Sequence, residues 1–393
     1  MPLPLDIATD LINELSSLAS RASLTSDRNA RAKALQLGQR LVAELEQPEN
    51  TAVDLAFSPI ITVAARVAID LELFKHISST EAPIDSKRLS WLTGGEELLI
   101  IRILRPLSST GFVKEVGDRI WESTPITRAM ATEGIAAGHR MLGEFSISAA
   151  TKAPRYFKEA GYQCPTDPRD GLIQYTFQTK LSTFQFLCSK PEIMRDFNIF
   201  MGHTMGARDY WVEWYPVREQ LLDGSVQELP LLVDVGGGKG HDLLAFNKKY
   251  PTGGRLVLQD LAAVIESIGD IDPIEPMKYD FFTEQPVHGA RAYFYHHILH
   301  DWSDVKCLEI LEQVKKAMKP GYSKLLLHEM IIPDQGASKF HGMLDLTMMA
   351  FNAGMERTEQ QWGELLSKAG LKVVKFWTPQ ADADGIVEAI LDG

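Results

Sequence analysis

The sequence contains few cysteines and no excess of basic residues. Its three cysteines, Cys164, Cys188 and Cys307, are an odd number at wide spacing, which argues against a disulfide framework and against a paired-cysteine metal site. The 40 lysines and arginines are outnumbered by 52 aspartates and glutamates, so the formal net charge is −12. A field of this sign repels nucleic acid and anionic membranes. We therefore expect reduced thiols, and neither a nucleic acid nor a membrane as a partner.

Targeting and membrane signals are also lacking. The first fourteen residues carry three acidic side chains and no basic segment, unlike a secretory signal. The longest apolar stretch, from residue 55 to residue 69, is interrupted by Ser58, Pro59 and Arg66 and is expected to fall short of a membrane span. These features predict a cytoplasmic protein.

The composition that remains is typical of soluble globular domains. Hydrophobic residues make up 45% of the 393 positions and charged residues 23%, which excludes disorder, collagen or a coiled coil as a description of the whole. The length suits two or three packed units. Changes in pattern predict a helical and winged-helix dimerisation domain over residues 1–130, a helical connector lining the substrate pocket over 131–228, and an α/β domain over 229–393.

The N-terminal region predicts helices that are apolar enough to need a partner. Apolar residues recur at helical spacing between residues 3 and 45, and the next predicted helix, Val53 to Ile77, is apolar on most faces. Residues 84–130 then predict two helices and two short strands, which is a winged helix. Its second helix is mostly aliphatic and offers only Arg102 and Arg105 to phosphate. We therefore expect a homodimer through the N-terminal helices rather than DNA binding.

Residues 134–224 predict further helices with aromatic and methionine-rich faces. Such faces usually form protein core, but beside a catalytic domain part of them can line an apolar pocket. The candidates for a substrate pocket in this region are Phe145, Phe197 and Met201. Two residues of a later helix, Met348 and Phe351, are further candidates.

From Leu229 onward, strands alternate with helices, which predicts a Rossmann-like doubly wound α/β sheet with ligands at the carboxyl ends of its strands. Glycines follow the first strand and precede a helix in the segment LLVDVGGGKGHDLL: Gly236, Gly237, Gly238 and Gly240. No Lys-Ser/Thr follows, as a phosphate-binding loop requires, and His241 stands where a dinucleotide fingerprint needs its third glycine. The spacing from Asp234 through the glycines is that of S-adenosylmethionine (SAM) binding.

Acidic residues at the next two strand ends strengthen the nucleoside interpretation. Strand RLVLQD ends in Asp260, whose carboxylate can accept two hydrogen bonds from a ribose diol. Asp280 and Phe281 close the following strand and offer an acceptor for the adenine amino group with an aromatic contact beside it. The three features in order predict a SAM site.

The strings YFYHHILHDWSDVKCLEIL, KLLLHEMIIPD and GMERTEQQW resemble the SAM-dependent O-methyltransferases of plants and fungi, especially the fungal enzymes that tailor secondary metabolites. The resemblance extends from Leu55 onward. It implies that His300 is the general base and that Glu329 and Glu356 orient it. The cofactor contacts that it implies are Gly236, Gly237, Asp260, Asp280, Phe281 and His296. We expect no metal.

The chemistry of methyl transfer agrees with this assignment. An in-line displacement needs the acceptor oxygen aligned with the methyl group and one proton removed from the hydroxyl. Imidazole has a reference pKa near 6.5 and phenol near 10, so carboxylates must stabilise the imidazolium form of the base. The prediction is therefore O-methylation of a hydroxyl on an aromatic or polyketide-like secondary metabolite.

One residue departs from the family pattern. His139 stands where related methyltransferases usually carry an aliphatic residue, and the pair His296-His297 accompanies it. A branch of the fungal family keeps SAM bound without consuming it while side chains catalyse dehydration and pericyclic rearrangement. The alternative is therefore a pericyclase or dehydratase that uses His139 and His296 on its substrate; a winged-helix regulatory protein is the third hypothesis. The histidines expected to make structural contacts only are His76, His241, His288, His328 and His341.

Overall fold

A computed structural model describes residues 4–21, 24, 27–206, 210–379 and 384–392. The chain divides into two compact units, residues 1–132 and 133–393. Residues 133–228 lie in the second unit together with the α/β sheet. The finer division into three domains stays a prediction.

The first unit is helical with a small sheet. Its helices are α1 (Pro4–Arg21), α2 (Arg28–Leu45), α3 (Pro48–Asp70), α4 (Leu73–Ser78), α5 (Ser86–Thr93), α6 (Glu97–Ser109) and α7 (Pro125–Met130). Its strands are β1 (Ile84–Asp85), β2 (Val113–Gly117) and β3 (Ile120–Ser123), in the order β1-β3-β2. The Asp85 carboxylate accepts a hydrogen bond from the Arg88 amide and so caps α5. The helices and hairpin expected over residues 84–130 are present; the winged-helix assignment stays a prediction.

Helix α3 is longer at its start and shorter at its end than predicted. It is continuous over 23 residues because Pro59 is accommodated inside it and the Ser58 hydroxyl donates to the Leu55 carbonyl. By length and composition it is apolar enough to cross a membrane, so the expectation that Ser58, Pro59 and Arg66 make this stretch too short is wrong. The left-handed backbone of Glu72, with φ 52°, separates α3 from α4 where one helix was predicted.

The second unit contains a large mixed sheet. Its strands are β4 (Leu232–Val235), β5 (Leu256–Asp260), β6 (Glu275–Lys278), β7 (Ala292–His296), β8 (Lys324–Ile332), β9 (Arg357–Thr358), β10 (Leu371–Trp377) and β11 (Asp384–Leu391). In the described residues they pair in the order β10-β11-β8-β7-β4-β5-β6, with β9 on β8. Neighbours from β6 to β8 are parallel, and β10 and β11 are antiparallel additions. This is the predicted Rossmann-like doubly wound fold.

Helices cover the sheet because its central strands are apolar on both faces. The α-helices described in the second unit are α8 (Glu133–Leu142), α9 (Ser148–Ala150), α10 (Ala153–Glu159), α11 (Leu172–Phe177), α12 (Thr183–Cys188), α13 (Pro191–Gly206), α14 (His241–Lys249), α15 (Ala262–Ile265), α16 (Asp304–Ala317), α17 (Lys339–Asn352) and α18 (Glu359–Lys368). Strand β4 pairs with β5 on one side and β7 on the other, so the strand order reverses there. Ligands of such sheets bind at this switch point.

Candidate functional site

The loop between β4 and α14 turns tightly because its glycines adopt conformations that other residues rarely take. The φ angles are +74° at Gly236, +58° at Gly238 and +78° at Gly240. Gly237 is required by space instead, since a Cβ there would lie 2.3 Å from Oδ2 of Asp234. Helix α14 begins directly after the loop and directs its N-terminal amides toward it.

Two carboxylates, one buried and one half-buried, lie against the glycine loop. Asp260 Oδ2 accepts a hydrogen bond from the Gly238 amide at 2.8 Å, and Oδ1 accepts one from the Leu261 amide at 2.7 Å. Burial raises the pKa of Asp260, while these two bonds lower it. Asp234 lies against the loop, and among the described residues neither of its carboxylate oxygens has a hydrogen-bond partner. Such acceptors fit a ligand that carries hydroxyl donors and positive charge.

The other expected cofactor residues are Phe281, His296 and Asp280, and their surroundings differ. The Phe281 ring approaches within 3.9 Å of the position that a Cβ on Gly236 would occupy. His296, at the end of β7, places Nδ1 2.7 Å from Oδ2 of Asp242 in the first turn of α14. Asp280 is exposed, and its carboxylate accepts a hydrogen bond from the Phe282 amide. An adenine contact by Asp280 therefore stays a prediction.

His300 is buried in a short 3-10 turn after β7 and is surrounded by carboxylates. Its Nδ1 lies 2.8 Å from Oε1 of Glu356 and 4.0 Å from Oε2 of Glu329, and its Nε2 lies 3.7 Å from Oδ1 of Asp301. Burial disfavours the imidazolium, but the charges of Glu329 and Asp301 and the bond to Glu356 outweigh it and raise the pKa of His300 to about 10. The arrangement therefore makes His300 a strong base.

Glu329 lies closer to backbone amides than to the imidazole of His300. Its Oε1 accepts hydrogen bonds from the amides of Ile298 at 3.1 Å and Leu299 at 2.8 Å, so it fixes the turn that carries His300. Burial raises the pKa of Glu329 to about 7, and the charge of His300 opposes that rise. Glu329 therefore both positions His300 and adds negative charge beside it.

Arg357 fixes the same turn from the other side. This fully buried guanidinium donates to the Leu299 carbonyl at 3.1 Å, to the Trp302 carbonyl at 2.9 Å and to the Asp304 carboxylate at 2.9 Å and 3.0 Å. Gly354 packs so tightly that an added Cβ would lie 2.2 Å from the His300 carbonyl oxygen. The backbone around His300 is therefore held by contacts from β9 and the segment before it.

The expected pocket residues differ in exposure. Phe145 is fully buried and stacks on Phe177 and Phe186, whereas Phe197 stacks on Phe351 at 6.2 Å with an angle of 9° between the rings. Met201 is exposed and Met348 is half-buried. His139 is half-buried on α8, next to Gly138, where an added Cβ would meet the Phe200 ring at 2.5 Å. Their contact with substrate stays a prediction.

Comparisons with known proteins show the family to which the chain belongs. The sequence model of the O-methyltransferase domain matches residues 182–372. The O-methyltransferase penC of Penicillium thymicola is 50% identical over 388 residues, which is 98% of this chain and 97% of that protein. This chain belongs to the O-methyltransferase family. The relatives are O-methyltransferases of fungal secondary metabolism, and SAM is the cofactor of the family.

Solved structures are similar to this O-methyltransferase family member over nearly its full length. The structure of LepI in complex with SAM has 28% sequence identity and a TM-score of 0.85, and the match covers 98% of this chain and 99% of that one. A structure described as a pericyclic reaction enzyme has 28% identity and a TM-score of 0.86, with coverage of 98% and 100%. The glycine loop, Asp234 and Asp260 supply the acceptors that SAM requires, so the residues present fit the cofactor.

Sequence analysis missed Asp301 and Arg357. Asp301 directly follows His300, and Arg357 directly follows Glu356. Their positions next to expected site residues are the sequence feature that could have indicated them. Their roles depend on the fold of the turn after β7, because Arg357 binds carbonyl groups more than 50 positions earlier in the chain.

Proposed function

We propose that this protein methylates a hydroxyl group of an aromatic or polyketide-like secondary metabolite, with His300 as the general base. The observation that carries the proposal is the 2.8 Å contact between His300 Nδ1 and Glu356 Oε1, made in a buried site beside Glu329. This contact favours the tautomer in which Nδ1 carries the proton and Nε2 accepts. A hydroxyl proton would therefore be taken by Nε2.

The strength of the base matches a phenolic substrate. The pKa of His300 is raised to about 10, close to the phenol reference of about 10, so proton transfer between them is nearly balanced in free energy. Glu356 and Glu329 stabilise the imidazolium that forms. When bound, SAM supplies an electrophilic methyl group carried on a positively charged sulfur.

The chain's own residues then have to hold the two reactants and exclude water. The glycine loop and Asp260 would bind the nucleoside part of SAM, and Phe281 would contact its adenine. The stacked rings of Phe197 and Phe351 would hold a planar acceptor, and α17 links Phe351 to the catalytic turn because the Asn352 amide donates to the Asp301 carbonyl. Aromatic walls suit a planar, poorly soluble ligand.

The second candidate function is a pericyclic or dehydration reaction in which SAM is not consumed. The similarity over 98% of the chain to a structure described as a pericyclic reaction enzyme favours it. In that mechanism His139 and His296 would act on the substrate. The higher identity to penC, a named O-methyltransferase, and the carboxylates around His300 favour methyl transfer.

The deciding experiment supplies SAM labelled on its methyl group together with a panel of phenolic and polyketide-like hydroxyl compounds. Under methyl transfer, label enters a small molecule in proportion to enzyme, and His300→Ala lowers turnover by about 10²- to 10⁴-fold. The control His288→Ala, at an exposed histidine, leaves turnover unchanged. Product that forms while SAM stays intact, with sensitivity at His139→Ala instead, would establish the second candidate.

We also propose that the protein is a homodimer through its N-terminal helices. On α3 the side chains of Leu55, Phe57 and Ile60 are 74%, 66% and 60% exposed, and apolar residues on α1 and α2 are exposed as well. Large apolar side chains exposed in this number indicate an interaction site, and a two-fold dimer would cover them with the same surface of a second copy.

Sedimentation of the full-length protein tests this proposal. Phe57→Asp combined with Ile60→Asp places two charges on one face of α3 and is expected to convert the dimer to a monomer. Asp54→Asn, at an exposed polar position of the same helix, is the control and should leave the dimer intact. A monomeric wild type, or a wild type that sediments only with added lipid vesicles, would overturn the proposal.

A further inference from the structure

The segment between α17 and β9 brings Glu356 to its contact with His300, and its backbone amides are fixed one by one. The amides of Ala353 and Gly354 donate to carbonyl groups near the end of α17, at 3.2 Å and 3.1 Å. The Met355 amide donates to the His300 carbonyl at 2.9 Å. The segment is therefore attached to α17 at one end and to the turn that carries His300 at the other.

The next amide, that of Glu356 itself, donates to a side chain. Its partner is Oδ1 of Asp345 in α17, at 2.9 Å. Glu356 is buried, and a buried amide without an acceptor costs free energy, so this bond has no ready substitute in water. The half-buried Asp345 therefore fixes the backbone of Glu356 relative to α17.

The Glu356 carboxylate depends on this backbone contact because its own contacts are few. Oε1 lies 2.8 Å from Nδ1 of His300, and among the described residues the buried Oε2 has no hydrogen-bond partner. A glutamate side chain is long and has many rotamers, so one contact at its end does not fix it. The position of the Glu356 backbone therefore decides whether Oε1 reaches Nδ1.

The charge of Asp345 is a separate matter from its hydrogen bond. Burial lowers the pKa of His300, and three carboxylates raise it. The titratable groups that face His300 are Glu329 on β8, Asp301 in the turn, Glu356 before β9 and the stacked ring of His297 after β7. Asp345 contacts the Glu356 amide instead, and burial raises its own pKa. We therefore expect the site to depend on the acceptor at position 345 rather than on a charge there.

We propose that Asp345 is a positioning residue, whose carboxylate oxygen accepts the Glu356 amide and thereby directs the Glu356 carboxylate to His300. The inference rests on the proposed function, in which His300 is the base. Asp345 touches neither reactant and acts through Glu356 alone. Because Phe351 and Asp345 both lie on α17, the same helix that would hold the acceptor molecule also sets the strength of the base.

Nuclear magnetic resonance of protein labelled at histidine tests the proposal without any substrate. The signal of His300, identified by its absence from His300→Gln, reports the pKa of this imidazole. In Asp345→Ala that pKa should fall by about 1, because the Glu356 carboxylate is no longer directed to Nδ1. In Asp345→Asn it should stay at the wild-type value, because the amide oxygen of Asn accepts the same hydrogen bond.

Turnover gives a second readout. With an acceptor that the wild type methylates, kcat should fall about 10- to 100-fold in Asp345→Ala, as expected for a displaced catalytic group, and Asp345→Asn should restore it. SAM affinity measured by calorimetry should be unchanged in both variants. The matched control is Thr347→Ala, which removes a hydroxyl that donates to the Met343 carbonyl within α17 and should behave as the wild type does.

The two variants separate the possible outcomes. An unchanged pKa of His300 in Asp345→Ala, or an equal fall in Asp345→Asn, would overturn the proposal. If Asp345→Ala does not fold, lost turnover in an Asp345→Asn protein with wild-type SAM affinity would overturn it as well. A fall of the pKa in Asp345→Ala alone, in a protein that transfers no labelled methyl group, would support the positioning of Glu356 and overturn the proposed function instead.

Discussion

Replacing Glu356 by glutamine tests the electrostatic basis of the proposed mechanism. The amide oxygen of Gln can still accept from Nδ1 of His300, at the position where Glu356 Oε1 now lies 2.8 Å away, but it carries no charge. The neutral form of His300 is the one that takes a proton, so kcat/KM of the wild type should rise with pH toward a limiting pKa of about 10. Glu356→Gln should move that limit to lower pH.

The size of the shift follows from the lost interaction. A hydrogen bond to a charged partner contributes about 1.5 to 3 kcal/mol and a neutral one about 0.5 to 1.5 kcal/mol, so the loss of charge alone removes about 1 to 1.5 kcal/mol. One pKa unit corresponds to about 1.4 kcal/mol, so the pKa of His300 should fall by about 1. The weaker base should also give a lower plateau at alkaline pH, since proton transfer to it from a phenol becomes less favourable.

The assay is the pH dependence of kcat/KM between pH 6 and pH 10.5 for the wild type, Glu356→Gln and Glu359→Gln. Glu359 is exposed at the start of α18 and serves as the control for removing one carboxylate nearby in sequence. An unchanged limiting pKa in Glu356→Gln would refute the reasoning, because the carboxylate would then have no influence on the group that controls the rate.

Three further predictions concern binding and packing. Asp260→Ala should weaken SAM binding by about 1.5 to 3 kcal/mol in calorimetry, because it removes acceptors for the ribose; unchanged affinity would contradict the cofactor placement. Gly354→Ala should lower kcat without weakening SAM binding, because the new Cβ would displace the His300 carbonyl. Arg357→Met should lower the free energy of unfolding by about 1 to 3 kcal/mol in urea titrations, since it removes the donor to the buried Leu299 and Trp302 carbonyls; an unchanged free energy of unfolding would contradict that role.

The parts of the site that lie at strand ends were predictable from the sequence. The glycine loop follows β4 and Asp260 ends β5, and parallel neighbouring strands bring such ends together, as the bond from Gly238 to Asp260 confirms. Glu329 and Glu356 were assigned by resemblance, and the structure places both beside His300. Patterns along the chain and strand topology were sufficient for these.

Other features depend on tertiary distances that no pattern encodes. The preference of Glu329 for backbone amides, 2.8 Å from the Leu299 nitrogen but 4.0 Å from the imidazole, follows from the position of the turn relative to β8. His328 was expected to make a structural contact, and the strand register that places it opposite His296 is not encoded in the sequence pattern. Helix α3 ends at Asp70 because Glu72 adopts a left-handed backbone conformation, which a glutamate side chain does not predict.

The protonation state of His300 gives each possible reaction a different pH profile. With a pKa raised to about 10, His300 is an imidazolium at neutral pH in the free protein, and burial also raises the pKa of Asp301 to about 6. Methyl transfer needs the neutral imidazole, so its rate must increase as pH rises toward 10. A dehydration that used this imidazolium as an acid would lose rate over the same interval. The rate of a pericyclic step that used only His139 and His296 would not depend on the protonation of His300. The direction of the pH profile therefore separates proton removal from proton donation even before the fate of the methyl group is known.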